Sequence, residues 1–299
     1  MNKDTVIAVI SDMQVGSTVA LSPLKWQLYD GNVFSASPAQ KIIHRQWVDS
    51  ALGVKDMLTE TKKRKRLVVI LNGEPIDNNP HDIPQLITKT PQEQIDIAID
   101  LIDEWLGVAE YDHKRGDCMY LVRGTDAHEK GEAIEQIGRD IDGVVPYRKD
   151  SGNLNEGGKK IRDGRYTFSK LRRTVNGKLF HVSHHGFGRG TRPWTTENAI
   201  YNGLKGIYFD AIESGSFMPD FVVTSHRHVF NEAYYHGKQG VIYGCTTPSW
   251  QRSTNFVHRV SPFSYINTIG MISFDVLASG ATKVVPAYIE VEDSKVEEF

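Results

Sequence analysis

Cysteine is scarce in this sequence: only Cys118 and Cys245 occur among 299 residues. Two lone thiols exclude a disulfide-dense secreted scaffold and a Cys-rich zinc site, and they fit a reducing, cytoplasmic setting. Long apolar runs are lacking too. Residues 6–10 and 67–71 are the clearest, and both fall far short of a membrane span. Residues 1–5 are polar, and the apolar run after them is too short for a signal-peptide core, so a soluble intracellular protein is expected. Neither sign of charge dominates. Lys plus Arg is 35, Asp plus Glu is 37, and the net charge is −2 with His neutral. That balance excludes a strongly cationic nucleic-acid coat, although not a local basic patch. With 39% hydrophobic and 24% charged residues, disorder and collagen-like repeats are excluded as well. The length suffices to bury a sizeable core.

What is present is a regular alternation. Residues 6–10 read as a buried strand ending in Ser11-Asp12. From 39 to 61 the apolar positions Ile42, Ile43, Trp47, Ala51, Val54 and Leu58 have helical spacing. The basic run 62–66 reads as a solvated helix end before a second strand, 67–71, closed by Asn72-Gly73. A helix is predicted over 91–110, with Pro91 in its first turn, and a third strand over 119–122. This is a βαβαβ pattern. The second half reads mainly as strands, near 166–175, 179–183, 221–224, 231–235, 241–243, 271–276 and 284–291, with one helix over 196–213. Asn176-Gly177 and Gly237-Lys238 supply turn chemistry, and the Gly-, Lys- and Asn-rich stretch 149–163 reads as a mobile loop. No linker or repeat divides the chain, so one domain over 1–299 is expected, with a core from about 5 to 292.

The polar residues gather just beyond the strand ends, where parallel sheets place function. Strand one yields Asp12-Met13-Gln14, and strand two yields Glu74, Asp77, Asn78, Asn79 and His81. Strand three yields Arg123-Gly124-Thr125-Asp126-Ala127-His128-Glu129. Later strands yield His184-His185-Gly186 and Ser225-His226-Arg227-His228. In an extended chain the two imidazoles of the last triplet point the same way, as neighbouring metal sites require. Each cue alone is weak, since Asp12 could cap a turn and a lone His is more often a hydrogen-bonded structural residue. Five in this order favour a functional site. Carboxylate and imidazole donors without thiolate suit Mn²⁺, Fe, Zn²⁺ or Ni²⁺, and their number suits two ions better than one.

With these blocks in order, the chain resembles the calcineurin-like metallophosphoesterase superfamily, and is most similar to its phage-type members. The resemblance implies a four-layer αββα sandwich of two mixed β-sheets flanked by helices, with a two-metal centre between the sheets. It implies Asp12 and His228 at the first metal, with Gln14 where the family usually has His. Glu74 takes the place of the bridging Asp, and His185 and His226 hold the second metal. Asp126 stands for the family's Asn ligand and His128 for its catalytic imidazole. Manganese is the expected metal, with Mg, Zn, Fe or Ni as alternatives.

The implied activity is metal-dependent hydrolysis of a phosphodiester in a nucleotide or nucleic acid, with water activated between two cations about 3.5–4 Å apart. His128, or His81, protonates the leaving oxygen, and Arg123, Arg189 and Arg192 bind non-bridging oxygens. The Gly-, Arg- and aromatic-rich segment 186–194 reads as a substrate loop that stacks a base or as a packed structural loop. Two other functions stay open: a catalytically silent or single-metal phosphate- or nucleic-acid-binding protein on the same fold, and a phosphomonoesterase for small substrates. Gln14 and Glu74 motivate the silent alternative.

Overall fold

A computed structural model describes residues 3–80, 82, 84–129, 133–147, 165–188, 195–260 and 266–292. The loop expected over 149–163 lies outside them, as do His81, Arg189 and Arg192.

The first half of the chain forms β1 (Thr5–Ile10), β2 (Lys25–Gln27), β3 (Val33–Ser35), α1 (Pro38–Thr59), β4 (Arg66–Asn72), α2 (Pro91–Val108), β5 (Cys118–Val122), α3 (Asp126–Glu129) and α4 (Ala133–Asp140). The second half forms β6 (Thr167–Phe168), β7 (Leu171–Val175), β8 (Lys178–Ser183), α5 (Thr196–Ser214), β9 (Phe221–Thr224), β10 (Asn231–Gly237), β11 (Gly240–Thr246), α6 (Asn255–Val260), β12 (Ile266–Val276) and β13 (Thr282–Glu292). One sheet has the order β13-β12-β1-β4-β5-β6, a second has β10-β11-β9-β8-β7, and β2-β3 form a small hairpin. Strands β1, β4, β5 and β6 run parallel, as do β8, β9 and β11. The flanking strands β12 and β7 are antiparallel to their neighbours.

Strand alternation builds the layers. In β1, Val6, Ala8 and Ile10 face helices α1 and α2, meeting Ile43, Trp47 and Leu101. Ile7 and Val9 face the second sheet, meeting Phe180, Val182 and Val223. The period of two thus makes an all-apolar strand serve two cores at once. On the far side, Ile200, Leu204 and Tyr208 of α5 pack on Val222 and Ile242. The architecture is the expected α/β/β/α sandwich of two mixed sheets.

Local signals place the helices. Ser37 and Gln40 form a reciprocal capping box ahead of Pro38. Pro91 opens α2, which stops at Val108 because the chain turns back through Glu110 at φ 55°. Three expectations change. The strand expected over 166–175 is two strands: a bend at Ser169 and Lys170 sends β6 to β5 and β7 to β8, in different sheets. Asn176 and Gly177 do make the left-handed hairpin turn, at φ 49° and 81°. In the other hairpin Gly237 still pairs with Gly240, so the turn is Lys238-Gln239. The basic run is not wholly solvated either. Arg64 forks onto Asp117, and the buried Lys65 donates to Asp275 at 2.7 Å. Among the described residues no helix is long and apolar enough to cross a membrane.

Candidate metal centre

The carboxyl ends of β1, β4, β5, β8 and β9 meet at one edge of the sandwich, and the residues that follow them form one neighbourhood. Ligand atoms of Asp12, Glu74 and His228 lie within 4.8 Å of one another, and those of His184, His185 and His226 form a second such group. Glu74 joins the two. Its Oε1 stands 3.0 Å from His184 Nε2 and 3.5 Å from His226 Nδ1. His228 Nε2 lies 3.3 Å from Asp12 Oδ1. Gln14 donates from its amide nitrogen to Glu74 Oε2.

The backbone here is forced into a conformation that side chains disfavour. Asp12, Gln14, Glu74, His226 and His228 all have φ between 50° and 69°. Each such residue costs of order 1 kcal/mol, and such strain clusters where geometry serves function. It also overturns the expectation that His226 and His228 point the same way, because the segment after β9 is not extended. The two imidazoles join different groups. Cross-strand bonds hold the strained turns: Asp12 N to Gly73 O at 3.1 Å, Gln14 N to Glu74 O at 3.1 Å, and Trp250 N to Asp12 O at 3.0 Å. Gly73, at φ 82°, lets the turns close, since a Cβ there would sit 2.4 Å from His184 Nδ1.

The electrostatics follow from burial set against pairing. Burial pushes the Glu74 carboxyl up, but His184 and His226 beside it prevail and hold it well below the usual carboxylate range. Burial opposes charge on His184, yet Asp12 and Glu74 outweigh it and raise its pKa to about 9. His228 is raised for the same reason, with Asp12 the main partner against burial. His185 is lowered, by burial and by the neighbouring His184 and His226. Burial lifts the Glu129 carboxyl to about 7 against two backbone donors.

Two observations fit divalent cations to these residues. Among the described residues Gln14 Oε1 is a buried acceptor that receives no hydrogen bond, and Asp12 Oδ1 is a buried carboxylate oxygen that faces only the imidazoles of His228 and His184. Half a turn of the Gln14 amide presents its oxygen in place of the nitrogen now facing Glu74. The donor set, two carboxylates, an amide and four imidazoles, is also that of a hard-to-intermediate metal site.

Of the residues expected from sequence, Asp12, Gln14, Glu74, His185, His226 and His228 converge. Asp126 does not. It begins α3 exposed and pairs with Arg123 at 2.6 Å, while the hydroxyl of the preceding Thr125 donates to Glu74 Oε1. His128 lines the cleft, its Nδ1 2.6 Å from the Asp77 carbonyl and its Nε2 3.9 Å from Glu74 Oε2. Arg123, tied to Asp126, is not among the residues lining the cleft; Arg227 and Arg252 are. The cleft encloses about 290 Å³ and continues past the centre to Asn79, Gln251, Ser253, Thr254 and Asn267. The strand-end clusters contain His184, Thr125 and Glu129 but give them no role, since the sequence does not say which side chain of each cluster turns inward, and Arg252 lies outside every cluster.

No family model matches the chain, and no curated protein matches it. Solved structures give distant likenesses. A Thermotoga maritima protein determined by NMR is 11% identical at TM-score 0.35, covering 96% of this chain and 99% of that one. The Thermus thermophilus sulfate thiohydrolase SoxB, in complex with glycerol, is 10% identical at TM-score 0.35, covering 97% of this chain and 58% of that one. An Aquifex aeolicus protein of unknown function is 14% identical at TM-score 0.25, covering 79% and 82%. At these TM-scores the likenesses assign the chain to no family and no reaction.

Proposed function

We propose that the chain is a metal-dependent phosphoesterase of the calcineurin-like kind, acting on a phosphodiester in a nucleotide or nucleic acid. The convergence of carboxylates and imidazoles from five strand ends, in two groups joined by Glu74, carries this reading. Asp12, Gln14 and His228 would hold one cation, His184, His185 and His226 the other, and Glu74 both. Divalent cations held there, manganese first among them, would neutralise phosphate charge and lower the pKa of bound water toward neutrality.

The chain's own residues do the rest. His128 donates a hydrogen bond from Nδ1–H to the Asp77 carbonyl, which leaves its Nε2 facing the cleft as the atom that would exchange a proton with the leaving oxygen. Arg252 lines the cleft and brings a guanidinium suited to non-bridging oxygens, while Arg227 beside it donates from Nε and Nη2 to the Phe187 carbonyl. The amides and hydroxyls of Asn79, Gln251, Ser253, Thr254 and Asn267 suit the polar alcohol portion of a phosphate ester. Two buried free thiols, Cys118 and Cys245, fit a cytoplasmic site of action.

One observation favours a second reading, a silent phosphate-binding protein: a neutral amide, Gln14, stands beside Glu74 where the resembled family usually has a His ligand. Removing metal with chelator, restoring Mn²⁺, Mg²⁺, Zn²⁺ or Ni²⁺ singly, and assaying bis-p-nitrophenyl phosphate beside the monoester separates the two. Metal-restored turnover, faster on the diester, is expected. No turnover on either ester, with no bound metal by elemental analysis, overturns the enzymatic reading.

A further inference from the structure

We propose that Glu129 is a positioning residue of this centre, whose carboxylate aims Glu74 at both ligand groups by binding two backbone amides. The inference rests on the metal-centre reading for its functional meaning. The β4–β5 ladder ends at Asn72 and Val122. Two residues further along each strand, the N–H groups of Glu74 and Gly124 have no partner strand to accept them. Both donate to one atom, Glu129 Oε1, at 2.8 Å and 2.9 Å. Glu129 thus continues the join between the two strand ends with a side chain where the backbone ladder stops.

The fit is close on every side. Glu129 is 2% exposed, so water does not substitute for it. A Cβ on Gly124 would lie 2.6 Å from Glu129 Oε1 and 2.8 Å from Glu74 N, so only glycine lets the acceptor approach. With the Glu74 amide held on that oxygen, the left-handed backbone of Glu74, at φ 52°, turns its side chain toward His184 and His226. Among the described residues Oε2 of Glu129 receives no hydrogen bond, so the two amides are the hydrogen bonds that hold this carboxyl group in place. What the arrangement needs is therefore an acceptor, not a charge. An amide oxygen can accept the same two hydrogen bonds, its NH₂ taking the place of the unpartnered Oε2.

The test compares wild type, Glu129→Gln and Glu129→Leu by amide hydrogen exchange without metal and by Mn²⁺ titration. Slow exchange at Glu74 and Gly124 is expected in wild type and in Glu129→Gln, with fast exchange in Glu129→Leu. Mn²⁺ affinity is expected to fall about 10–100-fold in Glu129→Leu and to stay near wild type in Glu129→Gln. Glu129→Leu with unchanged protection and affinity overturns the proposal, and so does Glu129→Gln behaving like Glu129→Leu. If Glu129→Leu does not fold, fast exchange of these two amides in wild type overturns it, and slow exchange in both wild type and Glu129→Gln upholds it. Wild type that binds no Mn²⁺ sinks the proposed function instead, while the exchange measurement still judges Glu129.

Discussion

His184 Nε2 stands 3.0 Å from Glu74 Oε1, with both side chains buried, and this contact ties the last strand ends of one sheet to those of the other. It also sets a competition. The proton on His184 that pairs with Glu74 and Asp12 occupies the place where positive charge from a cation is expected.

A pH dependence follows with a definite sign. The His184 pKa is raised from 6.5 to about 9, so in the metal-free protein its pairing stabilises fully below about pH 6.5 and is lost as pH rises through about 9. Cation binding favours the neutral ring, so Mn²⁺ affinity is expected to climb between pH 7 and 9. Calorimetric titration at pH 7 in buffers of different ionisation enthalpy should show about one proton or more released per protein. Affinity flat with pH and no proton release would contradict the pairing.

Gln14 is the weakest donor of the set, a neutral amide whose oxygen is orphaned. Gln14→His is expected to tighten metal binding about tenfold, ~1.4 kcal/mol. Asp12→Ala and His185→Ala are each expected to lose metal and activity. Elemental analysis after dialysis reads all three; an Asp12→Ala protein that keeps both metal and full turnover would remove the centre from this place.

Arg252 and Arg123 make opposite forecasts. Arg252→Ala takes a guanidinium from the cleft and should raise KM about 10–100-fold, the range for a charged hydrogen bond, leaving kcat less affected. Arg123→Ala removes a side chain occupied with Asp126 and should leave KM near wild type. Steady-state kinetics on the diester decides, and a reversed order would restore Arg123 to the phosphate.

Lys65 belongs to stability. Its side chain is 1% exposed, with Asp275 at 2.7 Å and Glu60 at 3.1 Å. Asp275→Ala leaves that ammonium under-paired and should cost about 3 kcal/mol, whereas Lys65→Met with Asp275→Leu should recover most of it. Urea unfolding measures both; a single-variant loss of a few tenths of a kcal/mol would show the pair to be incidental.

Much of this protein was legible as text. The periods of two and 3.6, with Ser37, Pro38, Pro91 and Asn176-Gly177 as punctuation, predict the strands and helices, because local backbone preference and one-sided burial act over a few residues. The strand-end clusters named most of the convergent residues for the same reason: parallel strands present their carboxyl ends to one edge. Direction was not legible. That Thr125 rather than Asp126 reaches Glu74 and that His184 turns inward beside His185 are decided by packing across the strand ends, and that His226 and His228 part company, with Asp12 and Glu74 beside them, depends on left-handed turns. Those turns are paid for by contacts more than fifty residues away in sequence, such as Glu129 to Glu74 and Trp250 to Asp12. A one-dimensional pattern records which side chains lie near a strand end; only the packed sheets decide where each one points, since a single φ of the wrong sign swings a side chain out of the centre.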